Sequence, residues 1–268
     1  MRPPSTTRNK VGDCKREAWK GLIHGAIVWL RCEPCVDLFE RQWATYQILV
    51  EHNLMEHREI THAITSAIHE WLAQRDDQAQ AIEMVDLGCG DLGQLAPLLR
   101  KLPLKKYVGL DLTKAVLPLA QSNLGSVPYS CVWEHGDLFK WACSMQNNRV
   151  DLIHSSFALH HLNQDQKLLF LKGARKRIKA NGLLVWADVF RPNQESRMEY
   201  LRRYCKRINQ WPGLSQTQRD SISQHIQTYD FPANRDWLEL QAQATGWSFH
   251  WAWTGRHNAE AVAILQPI

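Results

Sequence analysis

The sequence predicts an α/β fold: a doubly wound, seven-stranded, mostly parallel sheet with a C-terminal antiparallel hairpin, an N-terminal helical cap and a helical insertion after the fifth strand. Three observations predict it. From residue 81 short apolar runs alternate with helical segments, which is typical of a parallel sheet covered on both faces. The stretch 84–95 runs from an apolar strand through an acidic residue into glycines. Near the end, the polar turn 255–258 separates two β-rich runs, which indicates a hairpin.

The length and the composition bound the domain organisation. A chain of 268 residues with 44% hydrophobic content can bury a sizeable core, and it suits one domain with additional segments. We expect a basic, poorly ordered extension over residues 1–35, a helical cap over 36–80 and the main domain over 81–268. Within the main domain, a helical insertion is expected at about 193–232.

The net charge of +5 comes from the first 31 residues, which carry seven basic and two acidic side chains. The remaining chain has 25 of each sign, so no general affinity for nucleic acid is expected. The apolar run 21–30 is too short to span a bilayer, and no small-residue cleavage site follows it. Seven cysteines at irregular spacings argue against a disulfide framework, and Cys32-x-x-Cys35 lacks the second pair of a zinc site. We therefore predict a cytoplasmic protein without a membrane span.

The cap and the main domain show two different apolar periodicities. Residues 36–75 are predicted to form two helices, with an apolar stripe at three- and four-residue steps over residues 60–72. The main domain is predicted to begin with five strands, near 82–86, 106–111, 130–134, 150–154 and 183–188. Helices are expected between them, near 93–101, 114–123, 138–145 and 165–179. The two strands of the terminal hairpin are expected at 248–254 and 259–266.

The glycine-containing stretch predicts a nucleotide site. Gly88 and Gly90 permit a tight turn beneath a ligand, and a helix starting near Leu92 would offer free N–H groups to it. Asp111 ends the second strand, where its carboxylate can accept both ribose hydroxyls of a nicotinamide dinucleotide or of S-adenosylmethionine. Asp86 favours the second ligand, because its charge repels a pyrophosphate and suits a sulfonium and an ammonium group.

A carboxylate after the third strand, in Gly136-Asp137-Leu138, can bind an adenine amino group beside an apolar contact. Together with the fourth-strand segment 150–162, which ends in Leu-His-His-Leu, and the fifth-strand segment 182–188, these motifs resemble the class I S-adenosylmethionine-dependent methyltransferases over residues 37–268. One departure is Leu92, which stands where that family's motif has its third glycine. The resemblance implies a set of cofactor contacts: Tyr46, Asp86, Gly88, Cys89, Gly90, Asp111, Leu112, Asp137, Leu138 and Ser155.

Two of these contacts have an alternative. The Asp86 side chain could cap a helix instead of contacting the cofactor, and Tyr46 could be an ordinary core residue. Cys89 is expected to be small filler beside the cofactor rather than a nucleophile.

Methyl transfer from a sulfonium mainly requires alignment of the acceptor and, for some acceptors, removal of a proton. The candidate bases are His154, His160, His161, Asp188 and His225. We predict His160 as the base and Asp188 as a substrate contact or a structural residue, and we expect only one of the adjacent histidines to face the site. His154 is expected to be a hydrogen-bonded core residue.

Two absences narrow the chemistry. Ser155-Ser156-Phe157 replaces the Asn/Asp-Pro-Pro-aromatic motif of enzymes that methylate amides and exocyclic base nitrogens. The acidic pair of the metal-dependent catechol type is also missing, so no metal site is predicted. The sequence thus predicts an S-adenosylmethionine-dependent enzyme that acts on a small molecule. An RNA or protein methyltransferase, a non-catalytic cofactor-binding protein and a nicotinamide oxidoreductase remain as alternatives, and the oligomeric state is not predicted.

Overall fold

The computed structural model describes residues 43–75, 80–145 and 148–268. The predicted extension of residues 1–35, with its apolar run and Cys32-x-x-Cys35, lies outside the described residues. So does the start of the predicted cap. Within the described ranges, no helix is long and apolar enough to cross a membrane.

A central sheet organises the described chain, with strand order β3-β2-β1-β4-β5-β8-β7. Neighbours from β3 to β5 pair in parallel, whereas β8 runs antiparallel to both β5 and β7. The strands are β1 (Ile82–Leu87), β2 (Leu104–Asp111), β3 (Ser130–His135), β4 (Val150–Ser156), β5 (Ile178–Arg191), β6 (Ala233–Asn234), β7 (Trp247–Thr254) and β8 (Glu260–Pro267).

Helices precede and connect the strands. They are α1 (Trp43–Glu51), α2 (His57–Ala73), α3 (Ala96–Leu99), α4 (Leu117–Leu124), α5 (Leu138–Cys143), α6 (Gln164–Arg177), α7 (Arg197–Ile208), α8 (Gln216–Tyr229) and α9 (Arg235–Ala244). Short 3-10 turns cover Lys114–Val116 and Leu159–His161.

This architecture confirms the predicted fold class, including the parallel strands, the terminal hairpin and the helical insertion. The sequence missed β6, a two-residue strand that pairs with β5 where the insertion returns to the sheet. So short a strand leaves no alternation of apolar and polar residues to detect.

Both faces of the sheet are buried, as the continuous apolar strands predicted. Met84 and Val85 are neighbours in β1 yet belong to different apolar clusters, and so do Leu152 and Ile153 in β4. Because successive side chains of a strand point to opposite faces, one cluster lies on each side of the sheet.

The apolar stripe predicted for the cap is confirmed in α2, where Ile60, Ile64 and Ile68 are buried. The stripe belongs to the cluster that covers one face of the sheet, and the Trp71 indole donates to the Asn181 carbonyl at 3.0 Å. The cap helix α2 therefore packs on one face of the sheet, and it precedes the glycine turn along the chain.

The insertion packs in a third apolar cluster, which it shares with Leu54 before α2 and Val189 of β5. Tyr200 and Tyr204 of α7 stack with ring centroids 5.6 Å apart, and Tyr204 meets Trp211 edge-on. All three side chains are buried, so these aromatic residues pack the insertion. The end of the insertion, where the chain returns to the sheet, is held by the Phe231 N–H, which donates to the His160 carbonyl at 2.7 Å.

Candidate active site

The turn after β1 is tight and depends on its glycines. Gly88 has φ +78° and Gly90 has φ +55°, a region that L-residues other than glycine adopt only at a cost. A Cβ atom on Gly88 would lie 2.5 Å from the Ala158 Cβ, whereas a Cβ on Gly90 would meet nothing within 4 Å. Gly88 therefore permits close packing against the segment after β4, and Gly90 borders open space.

The helix expected near Leu92 begins later, and that prediction was wrong. Leu92 itself is left-handed, with φ +60°, and α3 covers only Ala96–Leu99. Leu92 is buried, so packing offsets the strain of about 1–2 kcal/mol of a left-handed residue. A four-residue helix has only a small dipole. Any ligand at this turn must therefore be bound by the backbone of the turn and by the nearby carboxylates.

Asp111 joins the end of β2 to this turn. Its Oδ2 accepts from the Gly90 N–H at 2.9 Å, and its Oδ1 accepts from the Thr113 N–H at 2.8 Å. Burial raises the pKa of Asp111, although the two backbone donors oppose the shift. Leu112, the next residue, exposes 39% of its surface, so an apolar side chain stands free beside the turn.

Asp86 is buried at the end of β1 and does not cap a helix. Its Oδ2 accepts from the Tyr107 hydroxyl at 3.0 Å, and its Oδ1 lies 2.7 Å from the His154 Nδ1. His154 is thus a hydrogen-bonded core residue, as its place on β4 suggested. The predicted contact between Asp86 and a cofactor stays a prediction.

The potential around the turn is negative. Burial raises the pKa of Tyr46 above its usual range, and the charges of Asp91 and Asp111 add to the shift. Burial likewise raises the pKa of Cys89, with Asp86 and Asp111 adding to it, so this thiol is no nucleophile at neutral pH. A positively charged ligand is favoured at such a turn, and a pyrophosphate is not.

The remaining predicted cofactor contacts lie close to the ends of β3 and β4. Asp137 caps α5, since its Oδ1 accepts from the N–H groups of Phe139 and Lys140 at 2.8 and 3.3 Å. Leu138, the next residue, is half-buried. The Ser155 hydroxyl is fully buried and donates to the Leu87 carbonyl at 2.8 Å, so it ties β4 to β1. Contacts of these three residues with a cofactor remain predictions.

His160 and Asp188 form a buried pair at the carboxyl ends of β4 and β5. The His160 Nδ1 lies 2.6 Å from the Asp188 Oδ1, and the His160 N–H donates to Oδ2 at 2.9 Å. The Trp186 indole and the Val189 N–H also donate to this carboxylate, at 3.2 and 2.8 Å. Asp188 is only 1% exposed, so it fixes the orientation of His160 rather than facing a substrate.

Four further groups lie near this pair, and sequence reasoning did not bring them together: Asp230, His161, His225 and Lys167. The Asp230 Oδ1 lies 3.7 Å from the His160 Nε2, 3.5 Å from the His161 Nδ1 and 3.8 Å from the His225 Nε2. Lys167 donates through its Nζ to the carbonyls of Leu162 and Phe231.

Both His160 and His161 lie beside Asp230, and that only one of them faces the methyl-transfer site stays a prediction. They lie in a 3-10 turn with ring centroids 4.1 Å apart, and each directs one ring nitrogen towards Asp230. A regular α-helix would have separated them by about 100°, but side-chain rotation in a three-residue turn brings both rings to one carboxylate.

The buried charges in this region shift one another. Burial lowers the pKa of His160, but the carboxylates of Asp188 and Asp230 outweigh it and raise the pKa to about 8. Burial raises the pKa of Asp230 to about 6, against the opposing charge of His160. Burial also lowers the pKa of Lys167 to about 7 and that of His225 to about 4. It lowers that of His161 too, and the neighbouring histidines add to the shift.

The strand order, the glycine turn and the carboxylate at the end of β2 define a nucleotide-binding α/β domain with its site at the carboxyl ends of the parallel strands. Residues 84–182 match the family described as methyltransferase domain. Over these residues the chain therefore matches a methyltransferase domain, and the resemblance seen in the sequence is confirmed there.

Solved structures agree with this fold. The carbon methyltransferase CurJ is 14% identical, with 77% of this chain and 54% of that chain covered and a TM-score of 0.56. The magnesium protoporphyrin IX methyltransferase of Synechocystis PCC 6803, solved with S-adenosylmethionine, is 12% identical, with coverages of 90% and 100% and a TM-score of 0.54.

A cyclopropane synthase of Mycobacterium tuberculosis is 19% identical, with 70% of this chain covered and a TM-score of 0.48; the match spans 62% of the synthase, less than two thirds of its length. No curated protein sequence matches the chain. The match of residues 84–182 confirms, at the level of that domain, the predictions of a methyltransferase and of S-adenosylmethionine as its cofactor.

Proposed function

We propose that this chain transfers a methyl group from S-adenosylmethionine to an oxygen, nitrogen or carbon atom of a small-molecule substrate. One observation carries the proposal: the glycine turn and the segment that leads to His160 touch each other. A Cβ on Gly88 would lie 2.5 Å from the Ala158 Cβ, two residues before His160. A group that can take a proton therefore lies beside the loop expected to hold the methyl donor.

The space, the apolar surface and the charges around the glycine turn suit S-adenosylmethionine. The open space beside Gly90 leaves room for a ligand against the backbone, and Asp111 stands at the edge of that space. Leu112 presents an exposed apolar side chain for the adenine, and the carboxylates near the turn suit a cationic ligand. When bound, S-adenosylmethionine supplies a methyl group on a positively charged sulfur.

The residues of the chain supply alignment and a proton acceptor. Asp188 accepts the Nδ1 proton of His160, so the neutral form of the ring, which the raised pKa of about 8 favours at mildly alkaline pH, has its lone pair on Nε2 and can take a proton from the acceptor atom. Asp188 acts through His160 and is a positioning residue. Because methyl transfer is an in-line displacement, most of the acceleration should come from holding the acceptor in line with the donor.

The insertion favours a small molecule over RNA. The insertion carries a basic run on α7: Arg197, Arg202, Arg203, Lys206 and Arg207. The run is partly neutralised within the fold, since Arg203 pairs with Glu195 at 2.7 Å and Arg207 pairs with Glu260 at 2.7 Å. Arg197 donates to the carbonyls of Asp230 and Gln227, at 2.8 Å each. Only Arg202 and Lys206 of the run are exposed, which is a weak surface for a phosphate backbone.

We also propose a cytoplasmic location. The cysteines of the described residues, Cys89, Cys131, Cys143 and Cys205, are free, which fits a reducing compartment.

The first test is calorimetric titration of the full chain with S-adenosylhomocysteine, with NAD as the comparison ligand. We expect S-adenosylhomocysteine to bind, and Asp111→Ala to weaken binding at least about tenfold, the equivalent of one lost hydrogen-bonding group at about 1.4 kcal/mol. Asp165→Ala, an exposed carboxylate at the start of α6, is the control and should bind as the wild type does. Binding of NAD alone would overturn the proposal.

The second test follows a labelled methyl group from S-adenosylmethionine into separate small-molecule, RNA and protein fractions. Label in the small-molecule fraction, lost in His160→Ala, is the expected result. Label in RNA or protein would refute the substrate class. Cofactor binding without transfer to any fraction would identify a non-catalytic binding protein.

A further inference from the structure

We propose that His160, His161 and Asp230 form a binding site for one divalent transition-metal ion of the zinc class. The three ligand atoms are the His160 Nε2, the His161 Nδ1 and the Asp230 Oδ1, and all lie within 4.8 Å of one another. The sequence predicted no metal site because the acidic pair of the catechol type is missing, and it gave no sign of this group, since Asp230 is about 70 residues from the histidines and joins them only in the folded chain.

The spacing is close to that of a formed site. The Asp230 Oδ1 is 3.7 Å from the His160 Nε2 and 3.5 Å from the His161 Nδ1. Bonds of about 2.1 Å at tetrahedral angles place ligand atoms about 3.4 Å apart. Side-chain movements of a few tenths of an ångström therefore bring the Asp230 Oδ1 and each of the two histidine nitrogens to the separation expected for ligands of one ion.

Asp230 itself points to a ligand. Its side chain is nine-tenths buried, and its Oδ1 accepts no hydrogen bond from any described residue. A buried carboxylate oxygen without a donor is costly, by about 1–3 kcal/mol or more. A cation held between this oxygen and the two imidazoles would satisfy it.

The surroundings of His160 match those of a metal-binding histidine. Such histidines usually donate their second ring N–H to a carboxylate, which fixes the tautomer and directs the other nitrogen at the ion. Here the Nδ1 faces Asp188 at 2.6 Å, so the lone pair lies on Nε2, on the side of Asp230. Asp188 is in turn held by the Trp186 indole.

Neighbouring groups decide the coordination and the kind of ion. The His225 Nε2 lies 3.8 Å from the Asp230 Oδ1 but outside the group of three ligand atoms, so it can become a fourth ligand only by moving towards the ion. The His161 Nδ1 also lies 3.5 Å from the Tyr229 carbonyl, the outer limit of a hydrogen bond, so coordination gives up little there. Imidazole and carboxylate together suit Zn²⁺ and its neighbours rather than Mg²⁺.

The charges around the three ligand atoms are of both signs. Asp188 and Asp230 are two buried carboxylates, and the nearby cations are Lys167, held by the carbonyls of Leu162 and Phe231, and Arg197, which donates to the Asp230 carbonyl. One consequence rests on the proposed function: an ion on the His160 Nε2 blocks the lone pair that would take the acceptor's proton. Bound Zn²⁺ should therefore inhibit methyl transfer and leave cofactor binding intact.

The test uses the full chain with Cys32→Ser and Cys35→Ser, so that this cysteine pair cannot supply a competing site. After treatment with a chelator, Zn²⁺ is titrated by calorimetry, and Co²⁺ is followed by its visible absorption. We expect one site with nitrogen and oxygen ligands, and at least about 100-fold weaker binding in both Asp230→Asn and His161→Ala. Asp188→Asn should weaken binding by about 10–100-fold, the usual effect of losing the partner of a metal-bound histidine.

His62→Ala, an exposed histidine of α2, is the matched control and should retain the site. Circular dichroism and S-adenosylhomocysteine binding show whether each variant is folded. Two variants from different elements keep the proposal testable if one of them fails to fold. Equal Zn²⁺ affinity in the folded Asp230→Asn and His161→Ala variants would overturn the site, and so would no Zn²⁺ binding in the parent chain. Intact binding of S-adenosylhomocysteine in those cases would leave the proposed function standing.

Discussion

A single methyl group added to Gly90 distinguishes a ligand-binding turn from an ordinary tight turn. Gly90 has φ +55°, and a Cβ there would meet nothing within 4 Å. Gly90→Ala should therefore lower the free energy of unfolding by only about 1–2 kcal/mol, the cost of a left-handed backbone conformation for an L-residue. If S-adenosylmethionine lies in that open space, the same methyl group must clash with it.

Gly125 supplies a stringent control for this substitution. It has φ +69° and ψ −159°, also with open space where its Cβ would be, at the end of α4. Gly125→Ala should lose at least as much stability as Gly90→Ala, because its backbone conformation is almost restricted to glycine. Any selective loss of ligand binding in Gly90→Ala then cannot be ascribed to general destabilisation.

Urea unfolding without ligand and calorimetry with S-adenosylhomocysteine measure the two effects separately. Overpacking costs about 1–3 kcal/mol, so we expect Gly90→Ala to bind about 5- to 150-fold more weakly. Gly125→Ala should bind as the wild type does. Wild-type affinity in Gly90→Ala would refute the reasoning, since the cofactor would then not lie against this turn.

Two further predictions concern buried polar groups. Tyr107→Phe leaves the Oδ2 of the buried Asp86 without its donor and should cost about 1.5–3 kcal/mol in urea unfolding, whereas Tyr129→Phe, which loses a bond to the Leu99 carbonyl, should cost about 0.5–1.5 kcal/mol. Equal losses would contradict this. Burial lowers the pKa of His57 from 6.5 to about 4. Between pH 6.5 and pH 4 the imidazole is therefore protonated in the unfolded chain but not in the folded one, so the free energy of unfolding decreases as the pH is lowered. At pH 4.5 the loss relative to pH 7.5 should be about 2–3 kcal/mol smaller in His57→Phe, and an unchanged pH dependence would argue against a neutral buried His57.

The sequence alone determined the fold class and the position of the glycine turn. Strands buried on both faces carry their signal locally, in continuous apolar runs, and Gly88, Gly90 and Asp111 stand at the ends of those runs. The order of the motifs along the chain was enough to indicate a methyltransferase domain, because each motif lies at the end of its own strand.

The tertiary structure decided the details of that turn and the composition of the histidine cluster. Leu92 remains left-handed without being glycine, because burial offsets the strain, so the local pattern misplaced the start of α3. Asp230 reaches His160 and His161 only because the insertion returns to the sheet and the Phe231 N–H binds the His160 carbonyl. Contacts between residues about 70 positions apart depend on where the chain returns, and no local spacing records that.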